Sequence, residues 1–172
     1  MLSSKPLRAD ARRNRARILA AAEEVFAARG AGAATEEVAA AAGVAIGTVF
    51  RHFPTKQDLV GAILKDLLAA LGEAAKEDDL FTFFTRVVTA AAEKKFVVEL
   101  LDVEVAGPIA SLSGAVGELL DRAKLAGAVR AEIELDEVLA LLTAAGQGAL
   151  RGGWSADLRA RTLAVIFAGL RP

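Results

Sequence analysis

The chain has 172 residues, enough for one large or two small domains with a buried core, and 54% of them are hydrophobic. It contains no cysteine and a single histidine, which excludes disulfides, thiolate metal sites, cysteine nucleophiles and histidine metal clusters. The net charge of −1 conceals an asymmetry: residues 1–60 carry 9 basic and 6 acidic side chains, the remainder 12 and 16. A basic front on an acidic body suits an anionic partner that meets one end only.

Much Ala and Leu with few β-branched runs predicts helices throughout. The first dozen residues, with Ser3, Ser4 and Pro6 and no apolar period, read as disordered. Residues 1–11 are thus an arm, and with Arg12 and Arg13 it either enters a DNA minor groove or remains a solvated basic tail. Glu23 and Glu24 interrupt any signal-peptide core, and no run reaches the ~18 apolar residues of a membrane span. Without cysteine the chain is compatible with a reducing cytoplasm. A first helix is predicted over residues 12–29, burying Ile18, Ala22, Val25 and Phe26 and ending at Gly30.

Residues 35–54, TEEVAAAAGVAIGTVFRHFP, have the spacing of a helix-turn-helix. Thr35 is placed to cap the first helix and to hold a phosphate, with Glu36 and Glu37 favoured by the dipole of its first turn. Val38, Ala39 and Ala42 face inward, and Gly43 permits the positive φ of the turn. The second helix runs from about Ile46 to Phe53, with Val49 and Phe53 inward and Pro54 as its stop. Gly47, Thr48, Phe50, Arg51 and His52 are left for other faces. That surface is either a DNA-recognition helix or a solvated helical hairpin, and the apolar, cationic and hydroxyl mix favours the first.

Thr55 and Asp58 form a capping box for a fourth helix over residues 55–76. Lys56 sits in its first turn against the helix dipole, a placement that phosphate contact would justify. Glu77, Asp78 and Asp79 mark a loop, and a helix over residues 80–94 follows. In residues 96–105, Glu99 and Asp102 are three apart on a helical face, either a carboxylate pair for metal or acid–base work or an exposed amphipathic edge. No partner base, phosphate loop or metal-binding motif accompanies them, so nothing supports an enzyme, and no cofactor is expected. Gly107-Pro108 breaks the chain before a helix over residues 109–125, ended by Gly127. Asp136 caps the next helix, residues 136–151, and the last spans residues 156–170. Both are apolar on more than one face, which implies packing against a second copy as a four-helix bundle, or internal burial in a monomer. Phe81, Phe84, Phe96, Leu100, Leu101 and Trp154 are candidates for a cavity for a mostly apolar small molecule, or plain core.

The AAGVAIGTVF and HFPTKQDL segments, with RILAAAEEVFAARG before them, resemble the TetR family of bacterial transcriptional regulators over about the first third of the chain. The family usually has Tyr where this chain has Phe50, which forfeits a hydroxyl-to-phosphate hydrogen bond. The resemblance implies backbone contacts for Phe50, His52 and Lys56, and a fourth helix that passes ligand binding to the DNA-reading heads. It also implies that the turn Gly127 to Arg130 bridges to the dimerisation helices. The expected fold is all-α, about nine helices: a helix-turn-helix domain over residues 1–54 and a helical ligand-binding and dimerisation domain over residues 55–172. The expected function is a cytoplasmic, homodimeric repressor released from a palindromic double-stranded DNA operator by a small-molecule effector. Arg51 and Thr48 are the expected base readers. A helical ligand-binding module that no longer reads DNA is the alternative.

Overall fold

The structure, a computed structural model, describes residues 5–172, with side chains described from Asp10 onward. It is all-α among those residues, with ten α-helices. They are α1 (Lys5–Arg29), α2 (Thr35–Ala42), α3 (Ile46–His52), α4 (Lys56–Glu77) and α5 (Leu80–Glu93), then α6 (Lys95–Leu101), α7 (Ala106–Ala110), α8 (Ser113–Leu125), α9 (Leu135–Arg151) and α10 (Ala156–Leu170). The helices divide into two compact units, one reaching to Lys65 and including Phe96–Asp102, the other made of Asp66–Lys95 and Val103–Pro172.

The first helix begins earlier than expected. The chain is helical from Lys5, so Arg12 and Arg13 stand on a helix rather than behind a disordered arm; the first four residues lie outside the described ones. Ala9, Ala11, Ala16 and the intervening arginines are strong helix formers, and Pro6 falls in the first turn, where no backbone donor is required. In the first unit Ile18, Ala22 and Phe26 of α1 pack with Val38, Val49, Leu59, Ile63, Phe96 and Val97, all buried. The Phe26 and Phe96 rings lie 5.7 Å apart.

In the second unit α5 and α9 pack along each other, with α7 and α8 also against α9. Phe83, Phe84, Val87 and Val88 of α5 and Val138, Leu142, Ala145 and Ala149 of α9 are buried. Gly146 lets α7 close in: a Cβ there would stand 3.2 Å from Val105 Cγ1. Asp79 caps α5 by accepting from the Thr82 amide at 2.9 Å. At Asp78, Arg86 donates twice to the carboxylate, at 2.8 and 3.0 Å. Arg122 of α8 binds the end of α4 through the Ala75 and Asp78 carbonyls, at 2.7 and 3.0 Å.

Three expected boundaries move. The predicted helix over residues 109–125 is two helices, α7 and α8, interrupted at Ser111 and Leu112. Gly107 and Pro108 lie inside α7 rather than breaking the chain, because a proline in the first turn gives up no helical hydrogen bond. The cap of α9 is Glu134, not Asp136: the Glu137 carboxylate reaches back to the Glu134 amide at 2.8 Å, which places Asp136 in the first turn. Gly127 ends α8 with φ +66°, and its amide and that of Ala128 donate to Lys124 and Ala123.

The α9–α10 corner is closed by Trp154, whose ring lies on Gly148 and Gly152; a Cβ on Gly148 would come within 2.8 Å of Trp154 Cη2. Ser155 then caps α10 through the Leu158 amide at 3.1 Å. The inward side of α10 is Leu163, Phe167 and Leu170, with Phe167 against Phe81 and Phe84 at 4.9 and 5.5 Å. Leu158 and Val165 point away from that side and are 40% and 74% exposed.

Gly148→Ala should force the indole out of its seat and destabilise the fold by about 1–3 kcal/mol. Urea unfolding followed by the fluorescence of Trp154, the chain's one tryptophan, measures this; an unchanged midpoint and emission maximum would mean the ring does not depend on the glycine. The Arg86 hydrogen bonds, opposed by partial burial and reinforced by the guanidinium charge, hold the Asp78 carboxyl below its ordinary 3.8. Its contribution is therefore complete above that value and is lost as pH falls through the lowered folded one. Asp78→Asn should make stability less steeply pH-dependent below 3.8, as read from urea unfolding at a series of acidic pH values. Parallel acid limbs would remove the pair from the stability of this corner.

Candidate nucleic-acid interface

The helix-turn-helix is built from local bonds at each end of α2. Its cap is Ala34, not the expected Thr35, which becomes the first helical residue and is half-buried. Ala34 has no side chain to offer, and the end is satisfied instead by Glu37, which accepts from the Ala34 amide at 3.1 Å and pairs with Arg29. At the other end Gly43 takes φ +63°, and the amides of Gly43 and Val44 donate to Ala40 and Ala39, both at 3.1 Å. These two bonds satisfy the last carbonyls of α2 and turn the chain sharply into α3.

On α3, Val49 is fully buried and Phe53 at its end is nearly so. Gly47, Phe50 and Arg51 are exposed; Thr48 and His52 are half-buried beside them. Residues three and four apart share a helical face, so Gly47, Phe50 and Arg51 form one outward surface, with Thr48 and His52 along its edge. Phe50 is 44% exposed, a large apolar ring left in water next to a guanidinium. His52 stands 6.3 Å from the Phe53 ring, and its Nε2 is sealed from solvent without a hydrogen-bond partner, so in this rotamer a polar contact would run through Nδ1. Arg12 and Arg13 are exposed on α1, and Arg13 pairs with Asp10 three residues before it.

Lys56 is engaged within the protein. Its ammonium donates to the Ala33 carbonyl at 2.7 Å and to that of Ala31, and stands 5.3 Å from the centre of the Phe26 ring. Two cations that sequence reading left without a role belong to the same scaffold. Arg17 donates to the carbonyls of Ala42 and of Gly43, the latter at 3.3 Å, and Arg15 lies over the Phe53 ring at 5.6 Å. These pairs are separated by 25 and 38 residues in sequence, so no local pattern reveals them.

The six residues considered for a ligand cavity fall into different surroundings. Phe96, Leu100 and Leu101 belong to the hydrophobic cluster of the first unit. In the second, Phe84 is buried against Phe167, and Trp154 is seated on the glycines of α9. Phe81 lines a cleft of about 420 Å³ together with Lys76, Asp78, Leu119 and Arg122, and the Arg171 guanidinium stands 4.5 Å over its ring. Glu99 and Asp102 do not share a helical face as expected, because α6 stops at Leu101 and Asp102 turns out of it with φ +50°. Among the described residues no three acidic or histidine side chains group as a metal site, and no helix is long and apolar enough to cross a membrane.

A glycine-turned pair of short helices that presents one mixed apolar and cationic face, on an all-helical chain, defines a helix-turn-helix DNA-binding regulator. Residues 18–63 match the bacterial regulatory proteins of the tetR family, and residues 75–172 match the C-terminal domain of SbtR-like transcriptional regulators. The chain belongs to the TetR family of transcriptional regulators. It is 37% identical over 148 residues to the HTH-type transcriptional repressor Rv3405c of Mycobacterium tuberculosis, a match covering 81% of this chain and 70% of that protein. Its fold is similar to a TetR regulatory protein from Mycobacterium vanbaalenii, with a TM-score of 0.77, 37% identity, and 97% and 100% of the two chains covered. It is also similar to the TetR regulator SCO0520 from Streptomyces coelicolor, with a TM-score of 0.71, 31% identity, and 92% and 98% covered.

Proposed function

We propose that this regulator acts as a homodimeric repressor, which grips a near-palindromic operator through two copies of α3 and leaves it when a mostly apolar small molecule occupies the helical body. The observation that carries the DNA half is the outward face of α3, where exposed Gly47, Phe50 and Arg51 are backed by a wholly buried Val49. A helix rooted in that way has one side to offer, and Arg51 on it is suited to the paired acceptors of guanine, with Thr48 beside it. Phe50 contributes apolar contact with sugar or thymine methyl groups, and Gly47 lets the backbone come close to a phosphate. Thr35 at the start of α2 adds a backbone contact, as do Arg12, Arg13 and His52 through their charge or ring. Its site of action is then the cytoplasm.

Two copies meet through α9 and α10 in this reading. Leu158 and Val165 stand seven residues apart on the side of α10 opposite Leu163, Phe167 and Leu170, and both are exposed. Apolar residues at that interval form the seam by which paired helices pack. Beside α9, Leu139, Ala140, Thr143 and Ala144 line an apolar groove with Ala106 and Ala110 of α7.

Selection from a pool of random duplexes by the purified protein, followed by sequencing of what is retained, should return one inverted repeat. Enrichment of no sequence at low salt would reject sequence reading and favour a helical module that has lost it. On the selected duplex Arg51→Ala should cost about 1–3 kcal/mol and relax preference at one base of each half-site; equal loss on all sequences would make Arg51 a phosphate contact instead. Val165→Glu should lower the sedimentation mass of the free protein to that of a monomer. A dimer of unchanged affinity would remove α10 from the interface.

A further inference from the structure

Lys56 poses an electrostatic question. It is the first residue of α4, where the unpaired amides of the helix start disfavour a cation. The structure supplies its compensation inside the protein: the carbonyls of Ala31 and Ala33, in the short 3₁₀ turn and the residue just after it, and the face of the Phe26 ring. Two of the three donors of the ammonium are thereby spent, on acceptors 23 and 25 residues away in sequence. The side chain is half-buried, its stem held in the scaffold.

Arg17 does the corresponding thing at the far end of α2. Its guanidinium reaches from α1 to the carbonyls of Ala42 and Gly43, the closing residues of α2 and of the turn into α3. A Cβ on Gly43 would stand 3.0 Å from that guanidinium, so the cation sits directly on the turn. Cations stabilise helix C-termini because carbonyls there lack partners. The two ends of α2 are thus each tied by one cation, Lys56 from α4 before the helix and Arg17 from α1 after it. The path of the backbone into α3 is set between them.

From this geometry we infer that Lys56 and Arg17 are positioning residues of DNA recognition. They fix α2 and its turn so that the outward face of α3 arrives preformed, and Lys56 does so in place of supplying a phosphate-neutralising charge. The inference deepens the reading of α3 as the DNA-contacting helix and rests on it, but half of its test needs no DNA.

The variants are Lys56→Met and Arg17→Met, which keep an unbranched apolar stem and lose the donors. Amide hydrogen exchange of the full chain should accelerate about tenfold or more between residues 31 and 49 in each variant, above all at Gly43, Val44 and Thr48 in Arg17→Met, while α9 exchanges as in wild type. Binding of Lys56→Met to a random-sequence 30-base-pair duplex should keep the wild-type slope of log K against log salt. Exchange unchanged across residues 31–49, together with a slope smaller by about one, would overturn the inference and return Lys56 to the phosphate contacts. Should Lys56→Met unfold altogether, Lys56→Arg keeps the charge and donors: restored exchange protection supports the bracket, and its absence overturns it. A wild-type protein that binds no duplex at low salt would reject the DNA reading, and the exchange result would still decide whether the two cations hold the turn.

Discussion

A helix of seven residues does not hold itself together in water, because nucleating the first turn costs more than so few hydrogen bonds return. The helix α3, proposed to face DNA, has that length, so its existence depends on what lies behind it. Full burial of Val49 is worth about 1.5–3 kcal/mol, and Phe53 buries its last turn against the same core. The entry angle is set by the left-handed Gly43 and by the pair of hydrogen bonds that the Gly43 and Val44 amides donate back to α2. Everything the face of α3 can do with DNA follows from that support, since its outward residues make no fold of their own. The same short length limits how much backbone needs to be fixed for two copies of the face to be presented alike.

The tally of charge in the first sixty residues overstates what is turned outward. Arg13 pairs with Asp10, Arg29 with Glu37, Arg17 and Lys56 with main-chain carbonyls, and Arg15 rests on an aromatic ring. A long-range field depends on the sum of these charges and is little altered by such pairing, so a basic front still draws an anionic duplex. Close contact is different. A cation already bonded to carbonyls gains less from a phosphate, because it must give up partners to take one. In the proposed reading, steering therefore belongs to the whole basic front, and recognition to the few side chains on the exposed face of α3.

What was legible in the sequence follows the range of the interaction concerned. The glycine turn, the inward Val38, Val49 and Phe53, the Thr55–Asp58 box and the glycine that ends α8 are all decided within four or five residues, and each stands where the pattern put it. Caps were misplaced where a glutamate three residues on substituted for the capping side chain itself, as at Ala34 and Glu134. Pro6 and Pro108 read as breaks in the sequence but stand in the first turns of α1 and α7, where a proline gives up no helical hydrogen bond, and no local pattern marks the break at Ser111. The roles of Arg17 and Lys56 depend on partners more than twenty residues away, and a sequence read in windows carries no sign of them. The aromatic set proposed for a cavity divides between the two units, because a helical period says which residues face inward, not which neighbour they meet.

The second unit carries its own constraint on assembly. Its core closes around α5 and α9 with small residues at the contact, and α10 is attached by three inward side chains, the Trp154 corner and a hydrogen bond that the Arg130 amide donates to the Leu170 carbonyl. Those attachments leave α10 little freedom to rotate about its axis, because Leu163, Phe167 and Leu170 are buried on one side and lie four and three residues apart. Val165 and Leu158 are then committed to the opposite side by helical geometry alone, since seven residues are close to two full turns. Turning them inward would expose the three that anchor the helix, including the Phe167 ring, tilted against Phe81 and edge-to-face with Phe84. A single copy therefore cannot bury both sides of α10. In the pairing proposed above a second copy does, and because that pairing uses the same face on both chains, it closes as a dimer with a twofold axis. That symmetry is the one an inverted-repeat operator requires.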